Sequence, residues 1–167
     1  MEQLEQQESL KDIVYNLHNY KTDTILLRRG LGKSIDVLSV KEQFAYFEVT
    51  NGTLYFSKLT EKNWFITTLL ASQLELNQKS INMEIYLQNL YQNKKTTESI
   101  KKRITKLLEK KTSKRFFKEL NWFIKHANKN NYKINEFSLY KDISNWNNCS
   151  YKWAKTIVSK KGTKKND

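Results

Sequence analysis

The sequence predicts an all-α protein made of two small helical bundles packed together, with no sheet. Three observations predict it. The chain has no proline and four glycines in 167 residues, where average usage is about 5% and 7%, so residues that break elements are scarce. Apolar residues recur three and four apart through most of the length, which is the period of a half-buried helix. Aromatic residues reach 13%, enough large side chains to build a core in spite of the charge.

Leu10, Ile13, Val14 and Leu17 place a first amphipathic helix over Ser9–Tyr20. Thr22–Gly32 follows, with Thr24 as its N-cap and Gly30 and Gly32 at its end. Arg28 and Arg29 stand in its last turn, where cations suit the helix dipole. Val40–Val49 carries Phe44, Ala45, Phe47 and Val49 ahead of an Asn51-Gly52 turn. Thr60–Leu76 is apolar nearly all round, through Trp64, Phe65, Ile66, Leu69, Leu70 and Leu74. That pattern predicts the central helix of the first half. Asn82–Tyr91 turns Met83, Tyr86, Leu87 and Leu90 inward.

Gln92–Thr97 is polar and marks the boundary between an amino-terminal bundle, 1–93, and a carboxyl-terminal one, 94–167. Beyond it Thr96 or Thr97 caps a basic helix. Thr112 or Ser113 caps the next, lined by Phe116, Phe117, Leu120, Phe123, Ile124 and Ala127. Asn128–Tyr132 reads as a loop, and Asn135 as the cap of a helix through Phe137, Tyr140, Ile143 and Trp146. Ser150 opens a last helix holding Trp153, Ala154, Ile157 and Val158. The tail from about residue 159, SKKGTKKND, is basic and expected to be loose.

The net charge of +13 is unevenly placed. Residues 1–93 hold 9 Lys/Arg against 11 Asp/Glu, whereas 94–167 hold 21 against 6. An excess confined to one half points to a localised polyanion site rather than a general solubility charge. Its centre is Thr97–Lys118. Residues four apart on a helix lie one above the other, so Lys102, Lys106 and Lys110 form a column with Arg103 beside it. Residues 94–118 hold 11 cations against 2 acids, too few to neutralise that column internally. The bland alternative is a solvated lysine face. The functional reading is a rail for phosphate, bound without regard to base sequence and with steep salt dependence. The candidate contacts are Arg28, Arg29, Lys33, Lys102, Arg103, Lys106, Lys110, Lys111, Lys114 and Arg115. The four arginines rank first, because a guanidinium forks a phosphate.

Other classes find little support. A single cysteine, Cys149, excludes an internal disulfide and fits a reducing compartment. His18 and His126 have no partners at metal-ligand spacing, so no metal is expected. No apolar run approaches the ~20 residues that span a bilayer. The start, MEQLEQQESLKD, is acidic where a signal peptide is basic and then apolar. A cytoplasmic, soluble protein is the expectation. No Walker loop, dinucleotide fingerprint, HExxH or GxSxG occurs, and Glu136 and Asp142 are isolated acids. Neither catalysis nor a cofactor is expected. Trp64, Trp122, Trp146 and Trp153 fall on apolar stripes and read mainly as core.

The order of features resembles a known family. LLRRGLGK (Leu26–Lys33) and WFITTLLASQ (Trp64–Gln73) come first, then ESIKKRITKLLEKKTSKRFFKELNWFIKHA (Glu98–Ala127), then LYKDISNWNNCSYKWAKTIV (Leu139–Val158). Over roughly residues 10–158 this is similar to the small-subunit family of the type I-E CRISPR Cascade, often called CasB. Arg28 and Arg29 match its early arginine pair, and Lys102-Arg103 the "RR" of its basic helix. Asp142-Ile143 with Trp146, then Trp153-Ala154, match its closing segment. One departure is Lys79-Ser80-Ile81-Asn82-Met83-Glu84, where members often carry a Gly-x-x-Leu-Gly stretch. The resemblance implies two helical bundles without cofactor or catalysis. It implies two copies of the chain lying head to tail along a crRNA-guided complex, between the backbone and large subunits. There the basic surface would steady the R-loop, holding the displaced non-target DNA strand beside the crRNA–target duplex. The rival expectation is a free-standing helical DNA- or RNA-binding regulator, although a nearly all-lysine helix positions without specifying. A surface for anionic membranes is a weaker third.

Overall fold

Capping side chains and apolar periodicity account for the architecture over residues 1–160, which are those the computed structural model describes. Helices take 74% of the described residues, and the all-α expectation holds. The first half contributes α1 (Glu2–Asn19), α2 (Lys21–Gly30), α3 (Val40–Thr50) and α4 (Glu61–Gln73), then a short strand β1 (Lys79–Ile81) and α5 (Met83–Gln92). The second half contributes α6 (Glu98–Glu109), α7 (Lys114–Lys129), strand β2 (Tyr132–Ile134), α8 (Glu136–Ser144) and α9 (Trp146–Val158).

Side-chain caps fix the start of several helices, and two of them, Thr97 and Asn135, are the caps expected from sequence. Ser39 and Glu42 form a reciprocal capping box on α3. Thr60 caps α4, Thr97 caps α6 and Asn135 caps α8 through backbone N–H groups three residues on. Other boundaries move. The first helix begins at Glu2 rather than Ser9. Thr24 lies inside α2, where its buried hydroxyl donates to Leu17 O and Tyr20 O. Helix α7 runs on to Lys129, α8 stops at Ser144, and Ser150 lies inside α9. The stretch read as a loop, 128–132, is thus a helix end, a left-handed Asn131 (φ 65°) and the start of a strand.

The expectation of no sheet is corrected by that strand. β1 and β2 pair in parallel, Lys79 opposite Tyr132 and Ile81 opposite Ile134. Three residues are too few to show the alternation that announces a strand. The pairing is held from beneath by Gln73, whose side chain donates to Ile134 O at 2.8 Å and accepts from Ile134 N at 3.0 Å. A fully buried amide there serves as one more rung of the ladder. The glycine-free stretch 79–84 is accordingly strand β1, the N-cap Asn82 and the first turn of α5.

Helix α4 is the hub. Every residue from Asn63 to Ala71 is buried, covered by α1, α2, α7 and α8. The buried cluster continues without a break from Leu10 to Ile157. Gly30 lets α2 touch Trp64, since a Cβ there would run into the indole ring. Helix α5 packs against both α9 and α6 of the second half. Gln88 and Gln92 reach across to the carbonyls of Thr156, Ile157 and Ser159, which ties the end of α9 to α5. Ser159 is thus held against α5, and the rest of the tail expected to be loose, beyond Lys160, lies outside the described residues. No helix is long and apolar enough to cross a membrane among the described residues.

Candidate nucleic-acid interface

Helix α6 buries Ile104 and Leu107 and presents the lysine column on another face. Lys102 and Lys106 are exposed and Lys110 is half-buried at the C-cap. Consecutive members stand about one pitch, ~5.4 Å, apart. They edge a groove of about 400 Å³ whose walls are Ser99, Lys102, Arg103, Lys106, Lys110 and Glu119. No carboxylate pairs with Lys102, Lys106 or Lys110 among the described residues. Lys106 and Lys110 also stand at the carboxyl end of α6, where the dipole favours cations.

Arg103 belongs to the same groove but is already engaged. Its Nε donates to Glu119 Oε2 at 2.7 Å and its Nη2 to Oε1 at 3.4 Å. Its guanidinium lies 4.0 Å from the centroid of Trp122. The stack continues from Trp122 to His126, with ring centroids 5.3 Å apart and 27° between planes. His126 Nδ1 in turn meets the Tyr86 hydroxyl at 2.5 Å. Burial, with Lys129 beside it, holds His126 below the usual imidazole range and favours the neutral ring. Arg103 therefore pins α6 to α7 more than it faces solvent.

The candidates of the first half part company. Arg28 turns onto α4, donating to Ala71 O at 2.9 Å and approaching Glu75 at 3.5 Å. It lines a separate hollow with Leu17, His18 and Leu74. Arg29 is exposed and has no carboxylate partner among the described residues. Lys33 is held by both oxygens of Glu42 at 3.2 Å. Burial alone would push the Glu42 carboxyl up, but Lys33 and the Ser39 N–H and hydroxyl outweigh it and hold it below its ordinary value.

It is Lys33, not the arginine pair, that the structure brings to the second half. Gly32 takes a positive φ of 89° against Asn121 of α7, and this turn lays Lys33 and Ser34 beside Lys114, Arg115 and Lys118 around a cleft of about 140 Å³. Lys114 pairs with Asp36 across it. Glu61 also lines the cleft, where it accepts from Ser34 Oγ at 2.6 Å. Lys111 and Arg115 are exposed with no carboxylate partner among the described residues. The unengaged candidates are thus Arg29, Lys102, Lys106, Lys110, Lys111 and Arg115. Sequence reasoning passed over Ser99, Lys118 and Glu119. Lys118 stands one turn after Lys114, a legible signal, whereas only the packing of α6 on α7 reveals Glu119 as the partner of Arg103.

No family model, curated protein sequence or solved structure matches the chain.

Proposed function

We propose that this chain is a non-catalytic nucleic-acid-binding subunit of the CasB type, working in the cytoplasm within a crRNA-guided type I-E complex. The observation that carries the reading is the column Lys102, Lys106 and Lys110, three cations without acid partners among the described residues, along one groove. A strand of sugar-phosphate laid there would neutralise them and release its condensed counterions. Such a contact holds a displaced single strand without reading it, as suits a complex that delegates sequence to base pairing. The proposed partners are crRNA, target and non-target DNA, the backbone and large subunits, and a second copy of this chain. The resemblance of Leu26–Lys33, Glu98–Ala127 and Leu139–Val158 to that family supplies the identity of the complex.

Native mass spectrometry of the assembly purified from its host through this chain tests the reading. The expected result is two copies with crRNA and larger subunits. Recovery of the chain alone, together with a sequence-specific footprint on duplex DNA, would replace it by the free-standing regulator.

A further inference from the structure

At the other end of the α6–α7 seam lies a second hollow of about 360 Å³, open to solvent and lined by Tyr86, Asn89, Lys95, His126, Asn130 and Tyr132 among others. Its walls are aromatic. Tyr86 meets Tyr132 edge-on at 5.8 Å and His126 at 6.0 Å. Its polar lining combines the amides of Asn89, Asn93 and Asn130 with one cation, Lys95, and no carboxylate. Asn130 Nδ2 donates to the Tyr86 hydroxyl at 3.3 Å, and the side-chain oxygen of Asn89 is buried with no hydrogen-bond partner among the described residues. A buried acceptor of this kind is costly unless a donor arrives. Lys95 stands at the rim, and the lining includes Thr97 and Ile100 of α6. The hollow is joined to the lysine groove by the continuous stack Arg103–Trp122–His126.

We infer that this hollow receives one unstacked nucleobase of the strand whose phosphates lie along Lys102, Lys106 and Lys110. The inference rests on the phosphate-rail reading and adds to it a reason for nucleic acid over any other polyanion. Among polyanions, nucleic acid offers a flat π-face to Tyr132 and His126, whose rings are half-buried, at each repeat of its charge, with N–H donors on the base edge for Asn89. Lys95 then meets the phosphate next to the inserted base. A sulfated polysaccharide or a lipid surface would satisfy the lysines and leave the hollow unused.

The full chain binding three 20-residue probes at physiological salt tests this: single-stranded DNA, the same length of abasic DNA backbone, and heparin. Base-bearing DNA is expected to bind about tenfold tighter than abasic DNA, the order seen for stacking of a base on an aromatic. Asn89→Leu should bring the two DNA affinities together while leaving abasic DNA unchanged. Photo-crosslinking of the wild-type chain to 5-iododeoxyuridine DNA needs no variant to fold, and its adducts are expected on Tyr132 or His126. Equal affinity for base-bearing and abasic DNA, with adducts elsewhere, overturns the base site and leaves the phosphate rail standing. Failure of both DNA probes to bind overturns both.

Discussion

Arg103 lies across the face of Trp122, its guanidinium carbon 4.0 Å from the ring centroid. The same guanidinium is forked by Glu119, so the one arginine of the basic helix is held on two sides. Its neighbours Lys102 and Lys106 are exposed and have no carboxylate partner among the described residues. Adjacent cations on one helix therefore do different work, one fastening α6 to α7 and the others charging the groove beside it.

Replacing Arg103 by Ala removes a stacked cation and leaves Glu119 without its partner. The stack and the ion pair are part-exposed, so the loss is about 1–2 kcal/mol. Arg103→Lys should recover little, since an ammonium neither forks Glu119 nor lies flat on the indole. Urea denaturation of the two variants checks this. Wild-type stability in Arg103→Ala would show that the stack contributes nothing.

Substitution of Lys102, Lys106 and Lys110 together by Gln should have the opposite profile. Lys102 and Lys106 are exposed and Lys110 half-buried, so the stability cost is about 1 kcal/mol, mostly the loss of two cations from the carboxyl end of α6, and relief of like-charge crowding acts in favour of the variant. Affinity for single-stranded DNA should fall, and the slope of log affinity against log salt should flatten by about 2, as three lost phosphate contacts on a single strand require. An unchanged slope would mean that the column is a solvated face. Arg28→Ala, by contrast, should leave the slope alone, because Arg28 is bound to Ala71 and Glu75 away from the groove.

Gly32 sets how the first half meets the second. Its φ of 89° lies in the left-handed region, and any Cβ would press on the Asn121 amide. Gly32→Ala should cost about 1–3 kcal/mol, combining backbone strain with the displaced contact. Because that turn lays Lys33 beside Lys114, the Asp36–Lys114 pair should loosen as well. Thermal unfolding reports the first effect, and a double-mutant cycle between Gly32→Ala and Asp36→Asn reports the second.

Much of this was legible in the residues. The stripe on α4, the Thr97 and Asn135 caps, and the column on α6 each follow from a local rule, the helical period or the need of an orphan N–H for an acceptor. Gln73 was not legible, because a polar residue at the end of an apolar helix gives no sign that it will complete a ladder with Ile134, sixty-one positions on. The engagement of Arg28 and Arg103 was hidden for the same reason. Charge counting ranks arginine first for phosphate, yet the fork and flat face that favour phosphate also favour Glu119, Trp122 and the Ala71 carbonyl. In this chain the part-buried positions took those partners and left the lysines outside.

Glu84 supplies a pH dependence of stability. Burial first, and then the nearby Asp142 carboxylate, raise its carboxyl above the ordinary value of 4.5, against the opposing pull of its own backbone N–H and Asn82. One of its oxygens is buried without a hydrogen-bond partner. A carboxyl whose folded pKa is raised keeps its proton more readily in the native state than in the unfolded chain. Its contribution is fully present below pH 4.5 and is lost as the pH rises through the raised folded value. Glu84→Gln, which cannot ionise, should therefore be more stable than wild type at neutral pH and lose that advantage in acid. One term opposes this: Glu84 stands in the first turn of α5, where a negative charge gains about 0.3–1 kcal/mol from the dipole. The cost of a charged group left unsatisfied in a part-buried site is about 1–3 kcal/mol, which is larger, so the net sign favours Gln. Melting temperatures from about pH 4 to about pH 8 should show the variant rising above wild type by about 2–4 °C for each kcal/mol recovered. A variant that melts below wild type at neutral pH would mean that the dipole outweighs the burial of Glu84 against Asp142.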